Sequence, residues 1–226
     1  MRRRHLLRSA AIATTGLFAG CSAPGSGSGA ASPSPSPLPS PSPSPFEEGF
    51  ENGVGDWETD AAIGPEVDVA DFEWTIGVTD EKAAAGEHSL AITNEGTYDD
   101  GTSWAVHPIE IDADRADVAR VRAAFWSESE SFNTIRDAVM YLGPDPPATE
   151  EDFPGPGQNT SVLGETPYGG LREPLWLEAG WREYAFEWTT PRLSTDTLHL
   201  AVGTSVIWEA EATHYVDEIR VAFETR

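Results

Sequence analysis

Eight tryptophans among 226 residues are the chain's largest supply of groups able to do recognition chemistry. A flat aromatic face accepts the apolar C–H side of a sugar ring, while polar neighbours take its hydroxyls. Trp126 falls in the strand phase opposite Phe125 and beside Arg122. Trp176 closes a proline- and glycine-rich stretch, and Trp208 precedes Glu209 in Val-Ile-Trp-Glu. These three are candidates to line an open sheet face, with Arg136, Tyr141 and Glu209 as hydrogen-bonding neighbours. Trp74 and Trp188 alternate with polar residues as core positions do, and Trp57 and Trp181 stand near strand ends, so these four read as packing. Tryptophan is also heavily buried on average, so packing stays open for Trp126, Trp176 and Trp208 as well.

Motifs of catalysis are missing. There is no G-x-S-x-G, no H-E-x-x-H, no P-loop and no dinucleotide fingerprint. His88, His107, His199 and His214 are separated singles without metal spacing. With 38 acids, some pair at a glycosidase-like separation of roughly 5–9.5 Å arises by chance. Tyr98-Asp99-Asp100-Gly101-Thr102 lacks the ligand series of an EF-hand and reads as an acidic hairpin turn. Asn159-Thr160-Ser161 matches a glycosylation acceptor, which needs a surface loop. Three classes of function stay open: a non-catalytic glycan binder, a lyase or hydrolase on the same scaffold, and a structural envelope module that contacts protein. Converging titratable groups in a cleft would favour the second, and a flat acidic face the third.

The N-terminus speaks of location. Arg2, Arg3 and Arg4 precede His5, Leu6 and Leu7 and resemble a twin-arginine export signal. The apolar run Ala10 to Ala19 is shorter than the roughly 20 residues that span a bilayer, so it reads as a removable signal core. Leu17-Phe18-Ala19-Gly20-Cys21 resembles a lipobox, with Phe18 where an aliphatic residue is usual. Cleavage there makes Cys21, the only cysteine, the first residue of the mature chain and the attachment point for lipid. Residues 1–21 are thus a signal and lipidation site. Residues 22–45, with Ser-Pro repeated through Ser32 to Pro45, form a stalk of extended polyproline type. The expected location is the extracellular face of the cytoplasmic membrane, with lipid on Cys21 as the sole membrane contact. No cysteine is left for a disulfide, so the exported domain depends on packing, or packing plus metal.

All 38 acids and 14 − 4 = 10 basic residues follow Cys21, which gives the mature chain a formal charge of 10 − 38 = −28. Such a charge repels nucleic acid and anionic lipid. Abundant Asp and Glu with a single lysine, Lys82, resembles the composition of secreted proteins from salt-loving microbes. Molar salt shortens the Debye length to about 3 Å and screens the self-repulsion. The chain is expected to act as a monomer.

From Phe46 to Arg226 the pattern is that of one β domain, long enough for a two-layer core. Phe72, Trp74, Ile76 and Val78 alternate with polar residues. So do Val121, Ala123 and Phe125, then Tyr184, Phe186 and Trp188, and Leu198, Leu200 and Val202. Many short alternating segments with turn residues between them predict an all-β, antiparallel sandwich. Asp112 to Arg122 is rich in Ala and Arg and competes for helix, but its alternation runs into Phe125, so the second half reads as strand. Asp80 to Gly86 reads as one helical turn. Residues 143–174 hold seven prolines and little periodicity. A loop of that length inside a domain is usually functional or disordered. Period two puts Asp217 on the face of Tyr215, Ile219, Val221 and Phe223, where a carboxylate must be paired or metal-bound. Arg220 is one possible partner.

Phe50-Glu51-Asn52-Gly53 with Trp57, Gly86-Glu87-His88-Ser89-Leu90, Gly180-Trp181 and Tyr215-Val216-Asp217-Glu218-Ile219 resemble, in this order, the galactose-binding-like jelly-roll carbohydrate-binding modules. The resemblance covers most of 46–226, with 143–174 as a departure from it. It implies a jelly roll whose first and last strands lie side by side. It also implies a structural calcium held by Glu51 and Asp217, helped by backbone carbonyls near Glu87, and a glycan or polysaccharide as partner.

Overall fold

The computed structural model describes residues 46–64, 73–95, 101–127, 136–175, 180–207 and 212–225. Cys21, the signal and stalk, Trp176, Trp208 and Glu209 lie outside the described residues.

Alternating apolar and polar residues leave each strand one face to bury, and two antiparallel sheets close over those faces. The strands are β1 (Phe46–Glu48), β2 (Glu58–Ile63), β3 (Glu73–Thr79), β4 (Ser89–Glu95), β5 (Gly101–Glu110), β6 (Val118–Ser127), β7 (Arg136–Gly143), β8 (Gln158–Asn159), β9 (Gly169–Pro174), β10 (Gly180–Thr189), β11 (Thr197–Val206) and β12 (Ala212–Glu224). Sheet A runs β10-β6-β12-β4-β3, and sheet B runs β2-β5-β11-β7-β9-β8. β12 is long enough to take two neighbours along one edge: β4 pairs with Ala212 to Val216, and β1 pairs with Ile219 to Val221. The first and last strands are therefore adjacent.

Between the sheets, Ile92, Val121, Phe125 and Trp188 of sheet A meet Met140, Leu142, Leu200 and Val202 of sheet B. Each fully buried aliphatic or aromatic side chain here contributes about 1.5–3 kcal/mol relative to exposure. A smaller cluster lies on the other side of sheet B, where Trp104, Val139, Tyr141 and Ala201 pack with Phe153. Gly203 makes this possible: a Cβ there would collide with the Ser103 carbonyl and the Trp104 side chain.

Three local expectations change. Residues 80–86 form no helical turn, because their amides bond elsewhere, as described below. The long segment 143–174 is not featureless: it supplies β8, β9 and short 3₁₀ turns, and its middle folds over sheet B. Most consequentially, the phase of β12 breaks. Val216 pairs Phe125 and Asp217 pairs Ala124, but the next matched pair is Arg220 with Arg122, so Glu218 and Ile219 together face Ala123. This is a β-bulge, and Glu218 takes the extra residue's strain at φ 50°. One inserted residue flips the faces. Val216, Ile219 and Val221 enter the core, whereas Tyr215 and Asp217 point to the outside of sheet A, contrary to the unbroken alternation.

A β-branched side chain at Glu218's left-handed backbone is expected to cost about 1–2 kcal/mol. Glu218→Val should therefore lower the denaturation midpoint, and Glu218→Gly should not. Urea titrations of both variants check this.

Candidate functional site

The bulge sends Asp217 outward, yet its side chain is fully buried, because residues 80–88 fold over it. Asp217 Oδ2 accepts the backbone N–H groups of Ala84 (2.7 Å) and Ala85 (3.1 Å), and Oδ1 accepts that of Glu218 (2.7 Å). Burial still pushes the Asp217 pKa up; the three amides only partly offset it. Glu51 grips the next part of the same loop. Its Oε1 accepts from the amides of Glu87 (2.8 Å) and His88 (3.0 Å), and Oε2 lies 3.3 Å from His88 Nδ1. These bonds, led by the Glu87 amide, hold the Glu51 pKa below the ordinary carboxylate value. Gly86 sits between the two grips at φ 66°, where a Cβ would collide with the Glu51 carboxylate.

This donor set bears on the calcium that the family resemblance implies. A calcium shell is built from 6–8 oxygens. What the loop turns toward Glu51 and Asp217 is N–H, and Glu87 contributes its amide, with its side chain exposed. Among the described residues no group of three or more His, Cys, Asp or Glu stands close enough to hold a metal. In this arrangement the residues do not fit the ion.

The gripped loop carries Glu81 and Lys82 onto the outer face of sheet A. Tyr215 Oη donates to Glu81 Oε2 at 3.0 Å. Lys82 Nζ lies 5.0 Å from the Trp126 ring centre and 5.7 Å from that of Tyr215, within cation–π range. Strand register extends the face in rows. Trp181 of β10 pairs Trp126 of β6, which pairs Tyr215 of β12. Next come Glu183 and Ala124, and then Ala185, Arg122 and Arg220. Glu187, Arg120 and Ala222 complete the face. The two indoles meet edge to face, centroids 5.8 Å apart and planes at 69°, and both remain half-exposed. The Trp126 indole nitrogen is buried with no hydrogen-bond partner among the described residues.

At the far end lies a groove of about 490 Å³, lined by Ala185 and Ala222 together with Arg120, Arg122 and Arg220. Its arginines are paired: Arg120 with Glu187 (2.9 Å) and Glu224, Arg122 with Glu183 (3.6 Å), Arg220 with Glu218 (2.8 Å) and Glu47 (3.9 Å).

Among the described residues, those singled out from the sequence do not converge. Trp126 lies on sheet A, while Tyr141 and Arg136 belong to sheet B. Tyr141 is covered: Phe153 and Tyr168 pack on it at 6.2 and 5.1 Å, and its hydroxyl donates to the Asp145 carbonyl at 2.7 Å. Burial, with Asp145 and Asp152 nearby, pushes the phenol pKa up. Arg136 shares the strand phase of Ala138, Met140 and Leu142 and is 2% exposed, so it faces the interior and not an open sheet face. Asn159 Nδ2 donates to Glu173 Oε1 (2.8 Å) and to the Ala185 carbonyl (3.0 Å), which makes the side chain a brace between β8, β9 and β10. Trp181 is no packing residue of the core: its phase with Glu183, Ala185 and Glu187, opposite Tyr184, Phe186 and Trp188, marks it as outward-facing.

Solved structures similar to this chain include carbohydrate-binding modules with a β-sandwich fold and, at lower identity, domains of glycan-active enzymes. One, from work on the promiscuous specificity of modules of the β-sandwich superfamily, superposes with a TM-score of 0.51 at 19% identity, over 76% of this chain and 59% of that one. TmCBM61, solved in complex with β-1,4-galactotriose, gives a TM-score of 0.49 at 13% identity, over 78% and 94%. The C-terminal family 22 module of Clostridium thermocellum Xyn10B gives 0.44 at 16%, over 79% and 92%. No protein-family model and no curated protein matches the chain. At such identities the likeness shows the fold alone.

Asp217→Ala removes the acceptor of three part-buried amide hydrogen bonds and is expected to cost about 2 kcal/mol. Gly86→Ala is expected to lower the melting temperature as well, whereas EDTA at fixed ionic strength leaves it unchanged. Differential scanning calorimetry in both buffers checks all three.

Proposed function

We propose that this domain binds glycan without catalysis and that the half-exposed Trp126–Trp181 pair is where a sugar ring stacks. A pair of large, only partly buried aromatic rings on the outer face of sheet A is the observation that carries the reading. Of the other described tryptophans, Trp57, Trp104 and Trp188 are buried in packed clusters and Trp74 packs half-buried against Ala61 and Val206. The Trp126–Trp181 pair is supported instead from one side, by Lys82 over Trp126. The fold of the structural neighbours supports the same reading. Glu183 and Glu187 on this face are each engaged by an arginine, which suits hydrogen bonding to hydroxyls better than proton transfer.

In this reading the signal delivers the chain across the membrane, lipid on Cys21 holds it there, and the Ser-Pro stalk lifts the domain toward envelope or external polysaccharide. The charge of −28 keeps it soluble and monomeric in concentrated salt. The clasp made by Glu51 and Asp217 shapes the face through amide hydrogen bonds in place of an ion.

A glycan array probed with the intact chain in molar salt tests the proposal. Retention on at least one glycan is expected, with Trp181→Ala weakening it about tenfold, or about 1.4 kcal/mol, and leaving the melting curve unchanged. Binding of envelope protein with no glycan retained would end the sugar reading.

A further inference from the structure

The groove beyond the tryptophans has no part in the stacking site, yet it lies on the same sheet face. Six residues of β6 separate Trp126 from Arg120, about 20 Å along the strand. Between them the path along β6 and β10 passes small or exposed side chains, Ala124, Glu183 and Ala185. We propose that the groove is a second, contiguous binding surface, and that its ligand is an extended run of a neutral glycan chain rather than a single sugar or an acidic one. This rests on the reading of the tryptophan pair as a stacking site.

Charge selects the class. Three of the ten basic residues beyond Cys21 gather here, Arg120, Arg122 and Arg220, but five carboxylates pair with them: Glu47, Glu183, Glu187, Glu218 and Glu224. Their local sum is +3 − 5 = −2, inside a domain of strong negative charge, so no surplus cation is left for a uronate or sulfate. What the pairs offer is guanidinium N–H donors side by side with carboxylate acceptors. Sugar hydroxyls, each both donor and acceptor, match that pattern without carrying charge. Exposed ion pairs stabilise a fold by little, so the fold does not require this ladder. Ala185 and Ala222 line the groove on either side of the β6 arginines, and the volume falls in the ordinary range of ligand sites.

The test titrates the intact chain in molar salt with β-1,4-galacto- and β-1,4-xylo-oligosaccharides of one to six units, with oligogalacturonates as the acidic comparison. Affinity for one neutral series is expected to rise at least tenfold from two units to six. Arg122→Ala combined with Arg220→Ala should abolish that rise with the melting temperature held, and Trp181→Ala should weaken binding at every length. Affinity independent of length but lost in Trp181→Ala overturns the groove and leaves the stacking site standing. Preference for oligogalacturonates overturns the neutral class. Indifference of all binding to Trp181→Ala removes the stacking site and the groove with it. Val162 and Leu163, 82% and 50% exposed, follow Ser161 at the groove's rim. Self-association abolished by Leu163→Asp, with no sugar bound in the groove, assigns it to a second copy of the chain and overturns the proposal.

Discussion

One extra residue in the last strand governs the geometry of the domain's outer face. Without the bulge at Glu218, Asp217 would enter the apolar interior with Ile219 and Val221, and a carboxylate there would need a partner that the core does not offer. With the bulge, the aliphatic residues keep the core and the acid is turned to the outside of sheet A. There it can be desolvated and still be satisfied, because a loop lays its amides over it. Those amides cannot also close a helical turn, which is why residues 80–86 stay irregular. The same grip sets Glu81 against Tyr215 and Lys82 over Trp126. A backbone irregularity, a buried charge and an aromatic surface are thus one coupled arrangement.

The adjacency of the chain ends follows from the length of β12, which pairs β4 along its first part and β1 along its second. Glu51 follows β1 directly, so the strand that begins the domain and the strand that ends it hold the same loop. Both carboxylates do so through N–H groups. In a chain without disulfides this joins the termini without any cross-link beyond hydrogen bonds. Its strength lies in burial at Asp217, where each amide bond is made to a desolvated charge.

Period-two alternation carried the architecture: strands, their core residues and the two-sheet antiparallel sandwich were all readable from it, because side-chain phase is a local property of a strand. A bulge is invisible to that pattern, since Tyr215, Ile219, Val221 and Phe223 alternate faultlessly across it. Trp181 was legible and misread: it shares phase with three polar or small residues of β10, which outweighs its place near a strand end. Tyr141 could not have been placed from its own strand. Its outward phase is real, and only the packing of Phe153 and Tyr168, distant in sequence or held in an irregular segment, removes it from solvent. Arg136 fails for another reason, as a charged residue in an inward phase at a strand's first position.

The two outer faces of the sandwich differ in kind for a reason that composition makes plain. On sheet B, Trp104, Val139 and Tyr141 form an apolar floor, and residues 143–168 cover it with Phe153, Pro154 and Tyr168, so its apolar area stabilises the fold. On sheet A, the arginines beside Ala185 and Ala222 are set against carboxylates in exposed pairs. A protein with so few cations, most of them arginine, gains little stability from placing several in exposed pairs. It gains donors and acceptors beside two half-buried indoles on the outer face of sheet A. Burial, rather than aromatic content, is what separates the two faces: Trp104 and Tyr141 are buried under Phe153, whereas Trp126 and Trp181 touch each other and stay only partly buried.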